Sequence, residues 1–335
     1  MSARVKSVAV LGGSGFIGHA VVAALLAKGC RVITVNRGQT PIGESPGPSE
    51  RVTADRRDPC AYARALAGLD VAAVVDVTAY HPDDTRVAIE AFRGRVKRLV
   101  HISSLSVYRW PLPCPVAEDA PLESDPRRCY GFGKAACERL LFSQPTGRLP
   151  WTVLRLPAVF GPRDPHSREA YLLGRILQDK TIVVPPRPYL CQSLFVADAA
   201  RAVCALLESP LAVGRVYNAG GAPFALEDYV DLIAGLASRS ARMVRASTRV
   251  LARDGADPQK IPYYFEGDMV LDTQRIHDEI GFVPLWPVRK ALAATVEEIT
   301  RSPVGVGSEG WGLPWDAPFS DSGRSPEMDA QRSLS

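Results

Sequence analysis

The chain has 335 residues, 46% of them hydrophobic and 23% charged, which is enough for one large α/β core with a smaller lobe attached. Its net charge of +4 is spread over 40 basic and 36 acidic side chains rather than gathered in a block, which argues against nucleic acid as a partner. Seven cysteines stand singly, without a C-x-x-C pair or histidines at metal spacing, so neither a disulfide scaffold nor a structural metal is expected.

The first residues lack a secretory signal and no apolar run reaches bilayer length, so a cytoplasmic location without membrane contact is the default expectation. In the first half, short apolar β-branched runs alternate with longer segments of helical period, the pattern of βαβ units around a parallel sheet. Strands are predicted at 5–11, 31–35, near Val52, and at 72–77, 98–103 and 151–156; helices are predicted at 16–28, 59–67, 83–92 and 130–142. Several strands are apolar nearly throughout, as burial on both faces requires. The fold class expected is therefore α/β, a Rossmann-type doubly wound parallel sheet, occupying residues 1–160.

After Gly161 the texture changes. Proline-rich stretches interrupt shorter helices near 171–178, 196–208 and 226–238, which reads as a smaller substrate-binding lobe over 161–301 with the chain returning to the core. Residues 302–335 are rich in Gly, Ser and Pro and are expected to be poorly ordered, with Trp311, Trp315 and Phe319 able to dock locally.

Gly12-Gly13-Ser14-Gly15-Phe16-Ile17-Gly18 follows a strand directly and opens a helix. Gly12 allows a tight turn, Gly15 leaves room for a pyrophosphate and Gly18 lets the helix sit close to the sheet. Free N–H groups at the helix start, around Phe16 and Ile17, face the phosphates. The second strand ends at Asn36-Arg37-Gly38, without the acid that usually accepts from the ribose hydroxyls of NAD. Arg37 can pair with a 2′-phosphate instead, so NADP is favoured over NAD. Asp55 and Arg56 follow the third strand, where adenine neighbours stand.

Tyr130 and Lys134 are four residues apart, so on a helix both project from one face, about 6 Å apart along the axis. An ammonium beside a phenol that titrates near pH 10 favours phenolate, which makes Tyr130 a candidate proton carrier. Ser104 closes a buried strand at the carboxyl edge, where its hydroxyl can hold a reacting oxygen, and strand alternation turns Ser103 away from it. His81 is as well explained as a helix-start residue, His101 as a satisfied histidine inside its strand, and Cys129 as a structural thiol with no histidine base.

These residues, with Leu154-Arg155, Phe160-Gly161-Pro162, Val196-Ala197-Asp198 and Val216-Tyr217-Asn218, make residues 5–282 resemble the extended short-chain dehydrogenase/reductase superfamily, the NAD-dependent epimerase/dehydratase family. The resemblance implies that Ser104, Tyr130 and Lys134 form a catalytic triad, with Lys134 also holding the nicotinamide ribose. It places Val77, Thr78 and Ala79 along the cofactor and brings Leu156 and Pro157 to the nicotinamide. Two departures weaken the diphosphate grip of the nucleotide-sugar members. Ala158 stands where an Asn is usual, and Cys191-Gln192 where an Arg is usual, leaving Arg163, Arg168 or Arg187 to replace it. Leu105 and Ser106 fill the positions of the dehydratases' acid pair, which argues against dehydration.

The function expected is an NAD(P)-dependent oxidoreductase acting on a small hydroxyl or ketone substrate. The alternatives are a cofactor-retaining epimerase of a sugar or nucleotide sugar and a non-catalytic dinucleotide sensor. A homodimer is an allowed assembly, and no metal site is expected.

Overall fold

A computed structural model describes residues 5–39, 50–111, 114–265 and 267–301. The chain groups into two compact units. The first comprises residues 1–159, 194–221 and 271–285; the second comprises 160–193, 222–270 and 286 onward. Residues 194–221 and 271–285, which lie within the lobe expected over 161–301 with the chain returning to the core, group with the sheet. The expectations for 302–335 lie outside the described residues.

The first unit is built on β1 (Ser7–Leu11), β2 (Arg31–Asn36), β3 (Glu50–Thr53), β4 (Ala73–Asp76), β5 (Arg98–Ser104) and β6 (Trp151–Leu156). A seventh strand, Arg215–Asn218, pairs in parallel with β6 and completes the order Arg215–Asn218, β6, β5, β4, β1, β2, β3. The reversal between β1 running outward to β3 and β4 running the other way is the doubly wound arrangement. Val8, Ala9, Val10, Val74, Val75, Val100 and Val153 have no exposed surface, because helices cover both faces. The seventh strand was not predicted: its four residues carry no alternation and lie far from the other strands in sequence.

Helix α1 (Phe16–Ala27) packs on α6 (Val196–Glu208), while α2 (Pro59–Ala67), α3 (Pro82–Phe92) and α4 (Cys129–Phe142) pack in series. Local capping separates them. Asp58 caps α2 by accepting from the Ala61 amide, and His81 with Asp84 forms a reciprocal capping box on α3. No side chain caps α1, whose N-cap is Gly15. The orphan amides of that end stay available to a ligand.

The second unit carries α5 (Arg168–Leu177), α7 (Leu226–Leu236) and the helix Val288–Arg301, packed on one another. Two short ladders join them: Ile182–Val184 parallel with Met243–Arg245, and Leu190–Cys191 antiparallel with Phe224–Ala225. Its small apolar cluster includes Val183, Ala246, Leu251, Ile261 and Tyr264. Among the described residues no helix is long and apolar enough to cross a membrane.

Candidate active site

Strand register sets the edge on which the predicted residues meet. Leu11 lies opposite Val35 on one side and Asp76 on the other, Asp76 lies opposite His101, and Ser104 lies opposite Leu156. The carboxyl ends of β1, β4, β5 and β6 therefore open onto a common edge, the place where open α/β sheets bind ligands.

The Gly-rich turn is shaped by contact. Gly12 has φ +91°, and a Cβ there would stand 2.3 Å from Thr78 Cγ2. A Cβ at Gly18 would fall 2.1 Å from the Gly12 carbonyl oxygen, whereas one at Gly15 would meet nothing nearer than 3.5 Å. Gly12 and Gly18 thus serve the fold of the turn, and Gly15 keeps a cradle open in front of the amides of Phe16 and Ile17. Ser14 is tied to the end of β2 by its amide and hydroxyl, both donating to Asn36 Oδ1 at 2.9 and 3.0 Å. Asn36 holds the turn, and the next residue, Arg37, is exposed without a hydrogen bond or ion pair among the described residues. On the far side, the Val77 amide donates to the Leu11 carbonyl at 3.1 Å, Thr78 abuts Gly12, and Ala79 is buried. The residues present fit a dinucleotide: an open glycine cradle, a helix end with no side-chain cap and an exposed cation at the end of β2.

Asp55 and Arg56 are committed elsewhere. Asp55 accepts from the Arg57 amide and guanidinium, which hold its carboxyl down at about 2. Arg56 turns inward, its Nη2 2.6 Å from Asp76 Oδ1 and its guanidinium 5.1 Å from the Tyr62 ring centre. Burial opposes its charge, but Asp76, Tyr62 and Asp84 together outweigh that and raise the guanidinium pKa. Neither side chain is placed as a free adenine neighbour.

On the other half of the edge, Ser104 Oγ accepts from the Ser106 amide at 3.1 Å, capping a short 3₁₀ turn. Ser103 faces the opposite way, its hydroxyl donating to buried Glu138 at 2.5 Å, as strand alternation predicts. The Ser104–Ser106 turn rests on the first turn of α4, where a Cβ at Gly131 would be 2.2 Å from the Ser106 carbonyl. Tyr130, just before that glycine, is 50% exposed, while Lys134, one turn on, is 2% exposed. The Lys134 ammonium donates to the carbonyls of Ala79, at 2.9 Å, and Ile102. Burial pushes its pKa down to about 8, a shift that Cys137, Asp76 and Glu138 partly oppose. Leu156 and Pro157 are buried at the end of β6.

Some readings change. His101 is buried in its strand, but its Nε2 has no hydrogen-bond partner, so it is not fully satisfied; burial and then Lys134 keep its pKa far below the ordinary value. His81 is the N-cap of α3. Cys129 is exposed, its thiol directed at the carbonyls of Pro126 and Arg127. Among the described residues no group of three His, Cys, Asp or Glu could hold a metal ion. Sequence reasoning missed Asp76, Tyr80 and Glu138. The available signals were an acid closing an otherwise apolar strand and a Glu one further turn beyond Lys134.

Residues 8–220 match the family described as "NAD dependent epimerase/dehydratase family". The 2'-dehydrokanamycin reductase of Streptomyces kanamyceticus is 33% identical over 160 residues, 46% of this chain and 43% of that protein. The chloroplast stem-loop binding protein of 41 kDa b of Arabidopsis thaliana is 24% identical over 236 residues, 67% of this chain and 61% of that protein. The chain thus spans about half the length of the curated relatives it matches. In fold it is similar to the UDP-glucuronic acid 4-epimerase of Bacillus cereus, solved with UDP-glucuronic acid and NAD. The TM-score is 0.70 at 21% identity, over 88% of this chain and 99% of that one.

Proposed function

Because this chain belongs to the NAD dependent epimerase/dehydratase family, we propose that it is an oxidoreductase, favouring NADP, that acts at a carbonyl or carbinol carbon of a small molecule. The observation that carries the reading is a half-exposed Tyr130 one helical turn from a fully buried Lys134, at the carboxyl edge of the sheet. When bound, the nicotinamide supplies or accepts the hydride. In reduction Tyr130 gives its phenolic proton to the carbonyl oxygen, and in oxidation it takes the proton back. Ser104 accepts from the Ser106 amide, which leaves its own O–H to hold the reacting oxygen. Lys134 has three donors, of which two are spent on backbone carbonyls, so one remains for a ribose hydroxyl while the positive charge favours phenolate.

Gly15 and the first amides of α1 form the pyrophosphate cradle. Exposed Arg37 is the group offered to a 2′-phosphate, since Asn36 is occupied by Ser14 and no carboxylate ends β2. Substrate without a diphosphate is favoured by Ala158, whose side chain cannot donate to one.

Titration with NADPH and NADH, and turnover of Tyr130→Phe on a panel of ketones and alcohols, test the reading. NADPH is expected to bind more tightly, and Arg37→Ala to lose about 1.5–3 kcal/mol of NADPH affinity. Tyr130→Phe is expected to bind both ligands yet lose about two to four powers of ten in rate. Equal affinities would overturn the NADP assignment, and a near-parental Tyr130→Phe would overturn the mechanism. Cofactor retained through purification, with sugar inverted but no net redox change, would replace the oxidoreductase by an epimerase using the same residues.

A further inference from the structure

Tyr80 belongs to none of the motifs that mark the site, yet its ring stands near both of the residues that matter most there. Its ring centre is 5.5 Å from the Lys134 ammonium and 6.2 Å from the Tyr130 ring, tilted 44° to it. The segment that carries it is fixed at both ends of the residue. The Tyr80 amide donates to Asp84 Oδ2 at 3.1 Å, within the capping box of α3. Its carbonyl presses on α4 so closely that a Cβ at Gly133 would stand 2.5 Å away, and the preceding carbonyl, Ala79, accepts from Lys134. Gly133 thereby lets the loop after β4 lie along the catalytic helix. The Tyr80 side chain is 54% open to solvent, its ring packed beside Tyr130.

We propose that Tyr80 is a positioning residue that caps the Lys134 ammonium through the face of its ring and so keeps the cation charged beside Tyr130. The inference rests on the Tyr130/Lys134 reading above. The physical case is one of balance. Lys134 is buried, which disfavours its charge, and the two carbonyls that accept from it are neutral dipoles. The other groups around it divide by sign. Asp76 from β4 and Glu138 from α4 support the cation, while Cys137 from α4, its thiol pushed up to about 11 by burial, stays neutral; Arg56 opposes the cation, and Lys134 in turn lowers His101 of β5. Asp76 is already neutralised by Arg56 at 2.6 Å, and Glu138 is held by Arg155, so neither acid is wholly at the lysine's disposal. An aromatic face supplies negative potential without a titratable proton of its own in the working range.

The test is a lysine titration. The chain has only seven lysines, so 13C-labelled lysine side chains can be followed one by one by NMR, with Lys134 assigned through Lys134→Arg. Tyr80→Leu keeps an apolar cover over the ammonium but removes the ring. The Lys134 midpoint is then expected to fall by about 0.5–1.5 pH units, the scale of a desolvated cation–π contact. Tyr80→Phe keeps the ring and is expected to hold the midpoint near the parent's. A Leu variant with an unchanged or raised midpoint would show that Tyr80 only covers the lysine, and a Phe variant that falls as far as Leu would assign the effect to the hydroxyl. Either result overturns the proposal. An unfolded variant is recognised because its lysines would titrate together near the free value of about 10.4. The readout uses neither substrate nor turnover, so it can fail while Tyr130 remains the proton carrier, and Tyr130→Phe can fail while this titration succeeds.

Discussion

In the sheet unit, buried Glu138 meets a guanidinium. Arg155 Nε and Nη2 reach its two carboxylate oxygens at 3.0 and 2.6 Å, and the remaining Arg155 nitrogen donates to the Tyr108 hydroxyl and the Glu118 carbonyl. In the second unit, buried Glu169 meets two phenols instead: Tyr263 and Tyr229 donate to Oε1 at 2.6 and 2.9 Å, and Oε2 has no hydrogen-bond partner. Asp164, in the same unit, also has an oxygen without such a partner, and the Arg168 guanidinium stands 3.8 Å from it. Burial raises both carboxyls, Asp164 to about 6, and Asp164 raises Glu169 further. A fork of charged donors satisfies both oxygens of a buried carboxyl, whereas burial beside neutral hydroxyls favours the form that holds its proton. The second unit therefore holds two buried carboxyls that favour their protonated forms.

The comparison breaks most visibly at Glu138. Glu138→Gln leaves the Arg155 charge buried without its counter-ion and is expected to cost about 3–5 kcal/mol in urea unfolding. A double Glu138→Gln, Arg155→Met variant should recover part of that, and a single-variant loss below about 1 kcal/mol would deny the pair its role.

Asp164 comes next, with the opposite sign. Its folded pKa lies above the unfolded value of 3.8, so its contribution to stability is fully present below that value and is lost as pH rises through about 6. Asp164→Asn should remove this dependence and stabilise the protein at pH 7–8 by up to about 3 kcal/mol. Thermal unfolding from pH 4 to pH 8 measures it, and a parallel pair of curves for parent and variant would sink the idea. Tyr229→Phe sharpens the same point more gently: removing one donor from Glu169 is expected to cost about 1–2 kcal/mol in urea unfolding. The smallest effect belongs to Arg31 and Glu50, a pair at 2.7 Å whose side chains are half exposed; Glu50→Gln should cost less than about 1 kcal/mol and vanish in high salt.

What could be read from the sequence was what local geometry compels. Gly12 and Gly18 were legible because a positive φ and a 2.1 Å approach admit no side chain, and Ser103 and Ser104 because a strand alternates its faces. The placement of Tyr130 and Lys134 one turn apart on a helix was legible because four residues make about one turn, while their catalytic role is the proposal above. Contacts that depend on distant chain were not. Arg56 read as an adenine neighbour until Asp76, twenty residues on, drew it inward. Likewise, nothing local to Lys134 announces that the carbonyls of Ala79 and Ile102 occupy two of its donors, 55 and 32 residues away. The strand Arg215–Asn218 escaped for the same reason, since its partner is β6 and its four residues carry little pattern of their own.

Arg37 and Arg56 are both cations at the ends of neighbouring strands, but only one of them feels the medium. Arg56 is sealed against Asp76, so added electrolyte cannot reach the pair, whereas Arg37 stands in water. The attraction proposed for Arg37 therefore decays with ionic strength, over a screening length of about 8 Å at physiological salt and about 3 Å at 1 M. Discrimination between the two dinucleotides becomes a property of the solution as well as of the protein, widest in dilute buffer and narrowing as salt is added.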